Sequence, residues 1–94
     1  MNEAEWKKSL QPFVGRQVLV SIEGPDGEEK APAVPKTLAR VHPNEEHTHI
    51  KWYFDLFTFV AVPMDARTEI SENSVKAFDP EANLYYKLVR TTNN

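Results

Sequence analysis

Apolar residues recur along this chain with two different periods. In NEAEWKKSLQPF, Trp6, Leu10 and either Phe13 or Val14 fall at i, i+4 and i+7 or i+8, which is one face of an α-helix. Asn2 stands at the N-cap position with Glu5 three residues later, the pairing in which each residue satisfies a backbone amide of the other. Lys7 and Lys8 point toward solvent. Pro12 closes the pattern, because the residue before a proline avoids the α region. The spacing predicts a helix over residues 2–12. About ten residues are too few to hold a helix alone in water, so this one must pack on the rest of the chain.

From residue 17 the period becomes two. In QVLVSIE, Val18, Val20 and Ile22 alternate with Gln17, Leu19, Ser21 and Glu23, the pattern of a half-buried strand. Residues 24–35, GPDGEEKAPAVP, hold two glycines, three prolines and four charges and read as a surface loop. KTLARVH predicts a second strand with Thr37, Ala39 and Val41 on one face, followed by a turn at Pro43-Asn44. HTHIKWYF predicts a third, with Ile50, Trp52 and Phe54 on one face and His47, His49, Lys51 and Tyr53 on the other. A tight turn at Asp55-Leu56 leads into FTFVAV, where Val60 and Val62 oppose Phe59 and Ala61. PMDARTEI reads as a helical turn and a short strand. SVKAF, DPEAN and LYYKLVR read as strand, turn and strand, and residues 91–94 as a frayed polar tail. The expectation is one mainly β domain over 1–94: a short N-terminal α-helix, then a small antiparallel barrel or strongly bent sheet of five to seven strands across 17–90.

The order of parts resembles the SH3-like and Sm-like small barrels. A short helix runs into FVGRQVLVSIEG as into a first Sm strand. KTLARVHPNEEHTHIKWYF is similar to the second and third strands around a turn, and FTFVAVPMDARTEI to the fourth strand, a helical turn and a short fifth strand. The resemblance covers residues 3–70 and implies barrel topology. Sm-like proteins bind RNA through loop residues after the second and fourth strands, often an Asp/Asn pair and an Arg-Gly or Lys-Gly step. Here those places hold Pro43-Asn44-Glu45-Glu46 and Pro63-Met64-Asp65-Ala66. The resemblance therefore carries topology and lends little to RNA binding.

Composition narrows the function. The chain is 40% hydrophobic and 27% charged, as an ordinary folded domain is. It has no cysteine, which favours a reducing compartment. No basic segment followed by an apolar stretch opens it, so the expected address is the cytoplasm. The densest apolar run, Ile50–Val62, contains Lys51 and Asp55 and falls short of the roughly 20 apolar residues of a membrane span; no membrane partner is expected. The net charge of −3 is spread evenly: residues 1–47 carry 6 basic and 8 acidic side chains, residues 48–94 carry 5 and 6. A nucleic-acid binder usually shows a basic stripe, so the charge disfavours nucleic acid as a partner without excluding it.

Two constellations stand out. His47 and His49 share one strand face, about 6.5–7 Å apart, and His42 can lie across the turn. Three histidines with an open fourth position would make a catalytic zinc arrangement, with Glu45 and Glu46 as oxygen donors. The plainer reading is a solvated polar face. The second constellation is aromatic: Trp52, Tyr53, Phe54, Phe57 and Phe59 crowd together. If Trp52 and Phe54 enter the core, His49, Lys51, Tyr53 and Phe57 form a partly exposed strip, with Phe59 as a further flank. Such a strip can stack bases or anchor a protein partner, unless the helix or a closed barrel covers it. Catalytic parts are missing. Ser9, Ser21, Ser71 and Ser74 lie outside any Gly-x-Ser-x-Gly elbow, Gly15, Gly24 and Gly27 form no phosphate loop, and the pairs Glu28-Glu29 and Glu45-Glu46 sit in polar segments. The expectation is a non-enzymatic interaction module without a cofactor, binding a protein partner or self-associating. Single-strand RNA binding and histidine metal binding are the alternatives.

Overall fold

A computed structural model describes residues 1–91. Its helix, α1 (Glu3–Leu10), starts on the expected capping box: the Glu5 amide donates to Asn2 Oδ1 at 2.8 Å, and the Asn2 amide to Glu5 Oε1 at 2.9 Å. A single 3₁₀ turn at Gln11–Phe13 extends it past Pro12, which needs no amide hydrogen at that position. Trp6, Leu10 and Phe13 are buried, and Lys7 and Lys8 face solvent. Gly15, at φ 81°, takes the left-handed conformation that turns the chain into the first strand.

Eight strands follow among the described residues, against the five to seven expected, because part of the segment read as a loop is itself a strand. They are β1 (Gln17–Glu23), β2 (Glu29–Thr37), β3 (Arg40–Pro43), β4 (His49–Tyr53), β5 (Phe59–Pro63), β6 (Arg67–Ile70), β7 (Ser74–Asp79) and β8 (Leu84–Arg90). They form two antiparallel sheets, one ordered β2-β1-β8-β7-β6 and the other β3-β4-β5. The protein is thus mainly β with one short helix, as the periodicity implies. The two sheets do not close into a barrel, so the closure implied by the Sm-like resemblance is absent. Among the described residues, no helix is long and apolar enough to cross a membrane.

Three local expectations are corrected. Most of the supposed loop 24–35 is strand: only Gly24–Glu28 turn, with the Gly24 amide donating to the Glu28 carbonyl at 2.7 Å and Gly27 at φ 85°. Pro32 and Pro35 fit within β2 because β2 is the edge of its sheet, where a missing amide need not break a ladder. Bulges between Val20 and Ile22 and between Ile22 and Glu23 absorb the mismatch. KTLARVH is not one strand, since the chain bends at Leu38-Ala39. Leu38 is fully buried there while Thr37 and Ala39 are exposed, the reverse of the alternation expected. Thr91, assigned to a frayed tail, instead donates from its amide and hydroxyl to the Gln17 carbonyl. The rest of that tail, 92–94, lies outside the described residues.

The core joins the inner faces of both sheets to α1. Val18, Val75 and Leu88 meet Ile50, Trp52 and Val62, and Trp6, Leu10 and Phe13 cover one end. The two indole rings lie 6.3 Å apart, tilted by 57°. Their polar atoms fare differently. Trp6 Nε1 donates to the Met64 carbonyl at 2.8 Å, tying the helix to the β5–β6 turn. Trp52 Nε1 is buried and finds no protein acceptor. Replacing either ring by phenyl removes similar volume, but only at Trp6 does it also remove a hydrogen bond. Trp6→Phe should therefore destabilise by about 1–2 kcal/mol more than Trp52→Phe, measured by urea unfolding. Equal losses would show that the helix tie contributes nothing.

Candidate functional site

The outer face of the three-stranded sheet follows from its register. Arg40 lies opposite Tyr53 and Tyr53 opposite Phe59; one step along, His42 lies opposite Lys51 and Lys51 opposite Ala61. Ile50 and Trp52 point inward and are fully buried. The outward side chains interleave cations with rings. Arg40 Cζ stands 4.0 Å from the Tyr53 ring centroid, Lys51 Nζ 4.6 Å from that of Phe59, and the two rings are 5.2 Å apart at 47°. Each cation meets the electron-rich face of an aromatic ring.

This strip continues into the β4–β5 connection. Asp55 Oδ1 accepts the amides of Phe57 at 2.7 Å and Thr58 at 2.6 Å, and the Phe54 amide donates to the Thr58 carbonyl at 2.9 Å. Aspartate favours this self-bonded turn because its short side chain reaches amides two and three residues on. The turn fixes Leu56 and Phe57 at the tip with 76% and 88% of their surface exposed. An isolated exposed apolar residue is unremarkable, but two beside the half-exposed Phe59 make a patch.

Beneath the tip lies a groove of about 150 Å³ between the β1–β2 and β4–β5 hairpins. Its walls include Ile22, Ala31, Val34, Phe54, Phe59 and Val60, and Lys36 is its one charged lining residue. Val34 is on the inner face of the five-stranded sheet, opposite buried Val20, yet remains 41% exposed. The three-stranded sheet therefore leaves part of β2 uncovered. Phe59 belongs to both groove and strip, which makes them one continuous surface.

The predicted binding quartet is partly assembled here. Lys51 and Tyr53 are on the strip and Phe57 is at the tip. His49 is at the far end of β4, lining a different groove with Met64, Asp65 and Asp79, its Nδ1 2.9 Å from Thr48 Oγ1. The histidine trio is not gathered around one point. His42 lines a third groove with Glu3 and Glu45; His47 borders both this groove and that of His49, with its Nδ1 3.6 Å from Glu3 Oε1. Among the described residues, no three His, Asp or Glu side chains are placed to hold one metal ion. The turn itself sets where His47 goes: Asn44 Oδ1 accepts the amides of Thr48 and His49, and His47 adopts φ 58°. Sequence reasoning missed Arg40, Leu56 and Val34. Arg40 comes opposite Tyr53 only through the observed register of β3 on β4. Val34 carried no signal while its segment read as loop.

Shifted titrations do not converge on a cleft. Lys7 and its hydrogen bond hold the Glu3 carboxyl low, the Glu28 carboxylate raises Lys30, two backbone amides hold Asp55 low, and burial raises Tyr86. These groups sit on α1, β2, the β4–β5 turn and β8. No protein-family model matches the chain, and no curated protein or solved structure matches it either.

The Asp55 turn carries a pH signature. Its folded pKa is depressed, so the contribution of the turn is in force above the unfolded carboxyl value of about 3.9 and is lost as pH falls through the lower folded one. In NMR spectra, the Phe57 and Thr58 amide protons should move together toward random-coil positions as pH drops from about 5 to below 3. Asp55→Asn, which keeps an acceptor oxygen, should remove that titration and keep the turn. Asp55→Ala should lose both. A titration midpoint at the ordinary aspartate value would contradict the clamp.

Proposed function

We propose that this protein is a non-enzymatic interaction module whose docking surface is the β4–β5 hairpin tip with the groove beneath it. The observation that carries this reading is the exposure of Leu56 and Phe57 on a turn fixed by three hydrogen bonds. A domain of this size has little apolar surface to spare from its core, and a turn needs no leucine or phenylalanine. A tip that is already ordered loses little conformational entropy on binding, which favours affinity. The scatter of shifted titrations supports the absence of an acid–base centre. The bent β2–β3 path keeps the SH3-like and Sm-like resemblance as a reading of chain topology, which is common to many unrelated functions.

Single-strand RNA binding is the second reading, favoured by the interleaved cations and rings of the outer strip. It ranks lower on two grounds. Arg40 already covers Tyr53 and Lys51 already covers Phe59, so each ring has a face that stacking would have to uncover. The chain also carries a net charge of −3.

The test separates a binding role from a structural one. Leu56→Ser combined with Phe57→Ser should change the unfolding free energy by no more than about 0.5 kcal/mol, as exposed positions do. The same double variant, immobilised as the full chain, should retain at least about tenfold less of whatever protein the parent captures, as loss of a central apolar anchor does. A stability loss above about 2 kcal/mol with unchanged capture would make the tip structural and remove the reading.

A further inference from the structure

The charged side chains around the docking surface differ in sign from the protein as a whole. The chain carries 14 acidic and 11 basic residues, yet Lys36, Arg40 and Lys51 all flank the groove and strip. None of the three is in an ion pair within 4.0 Å among the described residues, where the pairs are Lys7–Glu3, Lys30–Glu28, His47–Glu3 and Lys87–Glu23. No carboxylate lines the groove. Asp55, whose Oδ1 accepts two backbone amides, is the carboxylate at its edge and lies within Coulombic reach of Lys36 without forming an ion pair with it. Glu3 and Glu45 lie in the adjoining groove with His42 and His47, which Lys51 and Tyr53 also line. Three cations outside any ion pair within 4.0 Å among the described residues thus stand in or beside an apolar cleft that no carboxylate lines, Lys36 in the cleft and Arg40 and Lys51 on the adjoining strip.

We infer that this surface takes an acidic, extended segment of another protein that carries one large apolar side chain. The groove, at about 150 Å³, is of a size that accepts a benzene-sized group, so one phenyl or branched aliphatic side chain fills it. Carboxylates on either side of that anchor then meet Lys36, Arg40 and Lys51. Charge complementarity of this kind steers encounter and selects partners more than it adds raw affinity. It also decides between occupants. A second copy docking by a two-fold axis would bring the same patch onto itself, placing Lys36, Arg40 and Lys51 against their own counterparts. A foreign acidic segment meets no such repulsion.

The inference rests on the interaction reading above, and three fluorescein-labelled synthetic peptides of equal length keep the two apart. One alternates Asp and Glu around a single Phe. The second replaces the acids by Lys and Arg, and the third keeps the acids and replaces Phe by Ser. Anisotropy with the full chain at about 50 mM salt should show saturable binding of the first, at least tenfold tighter than either control. Binding should weaken about tenfold on raising salt to about 300 mM, since exposed charge pairs are screened. Arg40→Glu and Lys51→Glu should each weaken it severalfold. Arg40→Gln and Lys51→Gln, the milder changes, should weaken it in the same direction while the circular dichroism spectrum is unchanged. If the basic peptide binds as well as the acidic one, or charge reversal has no effect, the acidic occupant is wrong although the hairpin still docks a protein. If no peptide binds at about 1 mM and the chain sediments as a dimer that Phe57→Ser dissociates, the occupant is a second copy and the inference is overturned. If an oligothymidylate competes through the same residues, the occupant is nucleic acid and both readings fall.

Discussion

The bend at Leu38-Ala39 is the constraint on which the rest of this structure depends. Leu38 bonds backward on both sides of its peptide: its carbonyl accepts the Gly15 amide at 2.7 Å, and its amide donates to the Arg16 carbonyl at 3.1 Å. Ala39, the next residue, donates instead to the Tyr53 carbonyl at 2.7 Å. Two adjacent residues thus serve two sheets. The buried Leu38 side chain pins the corner in the core. Because β3 continues from β2 across this corner, the β4–β5 hairpin that pairs with it has its tip beside the β1–β2 hairpin. The groove is a consequence of that path.

The same strand then performs opposite tasks on its two faces. Ile50 and Trp52 of β4 join Trp6 and Val62 in the interior, while Lys51 and Tyr53 stay on the surface under cation and ring contacts. Side chains alternate across a strand, so a central β4 with a fully buried inner row offers its outer row to solvent at no cost to the core. Helix α1 closes one end through Trp6 and leaves the opposite, hairpin end open. Leu56, Phe57 and Val34 remain exposed there because neither α1 nor a ninth strand reaches them among the described residues.

Much of this was legible in the sequence, and the limits have physical causes. The capping box of Asn2 and Glu5, the inward set Val18, Val20, Ile50, Trp52 and Val62, and the turn at DPEAN all follow from period and local chemistry. Period two says which residues share a face of one strand; it does not say which residues of another strand stand beside them. Hence Lys51 and Tyr53 could be paired from sequence, whereas Arg40 joins them only through the register of β3 on β4. Proline misled the reading of β2, because its usual meaning as a breaker lapses on a sheet edge. His42, His47 and His49 are close in sequence but do not meet at one point: His47 leaves the strand on a left-handed turn residue and borders one groove with His49 and another with His42. The barrel failed to close for a related reason: residues 74–90 fold as the β7–β8 hairpin and pair with β1, extending one sheet where the Sm-like pattern would end it.

The central claim is that the β4–β5 tip is both ordered and open to solvent before any partner arrives. Backbone ¹⁵N relaxation of the full chain, combined with a soluble paramagnetic probe, measures both properties at once. Order parameters for Leu56, Phe57 and Thr58 should equal those of β4 and β5, near about 0.85, while the Leu56 and Phe57 side-chain signals are strongly broadened by the probe. Order parameters below about 0.6, or side chains shielded from the probe, would contradict a preorganised docking element.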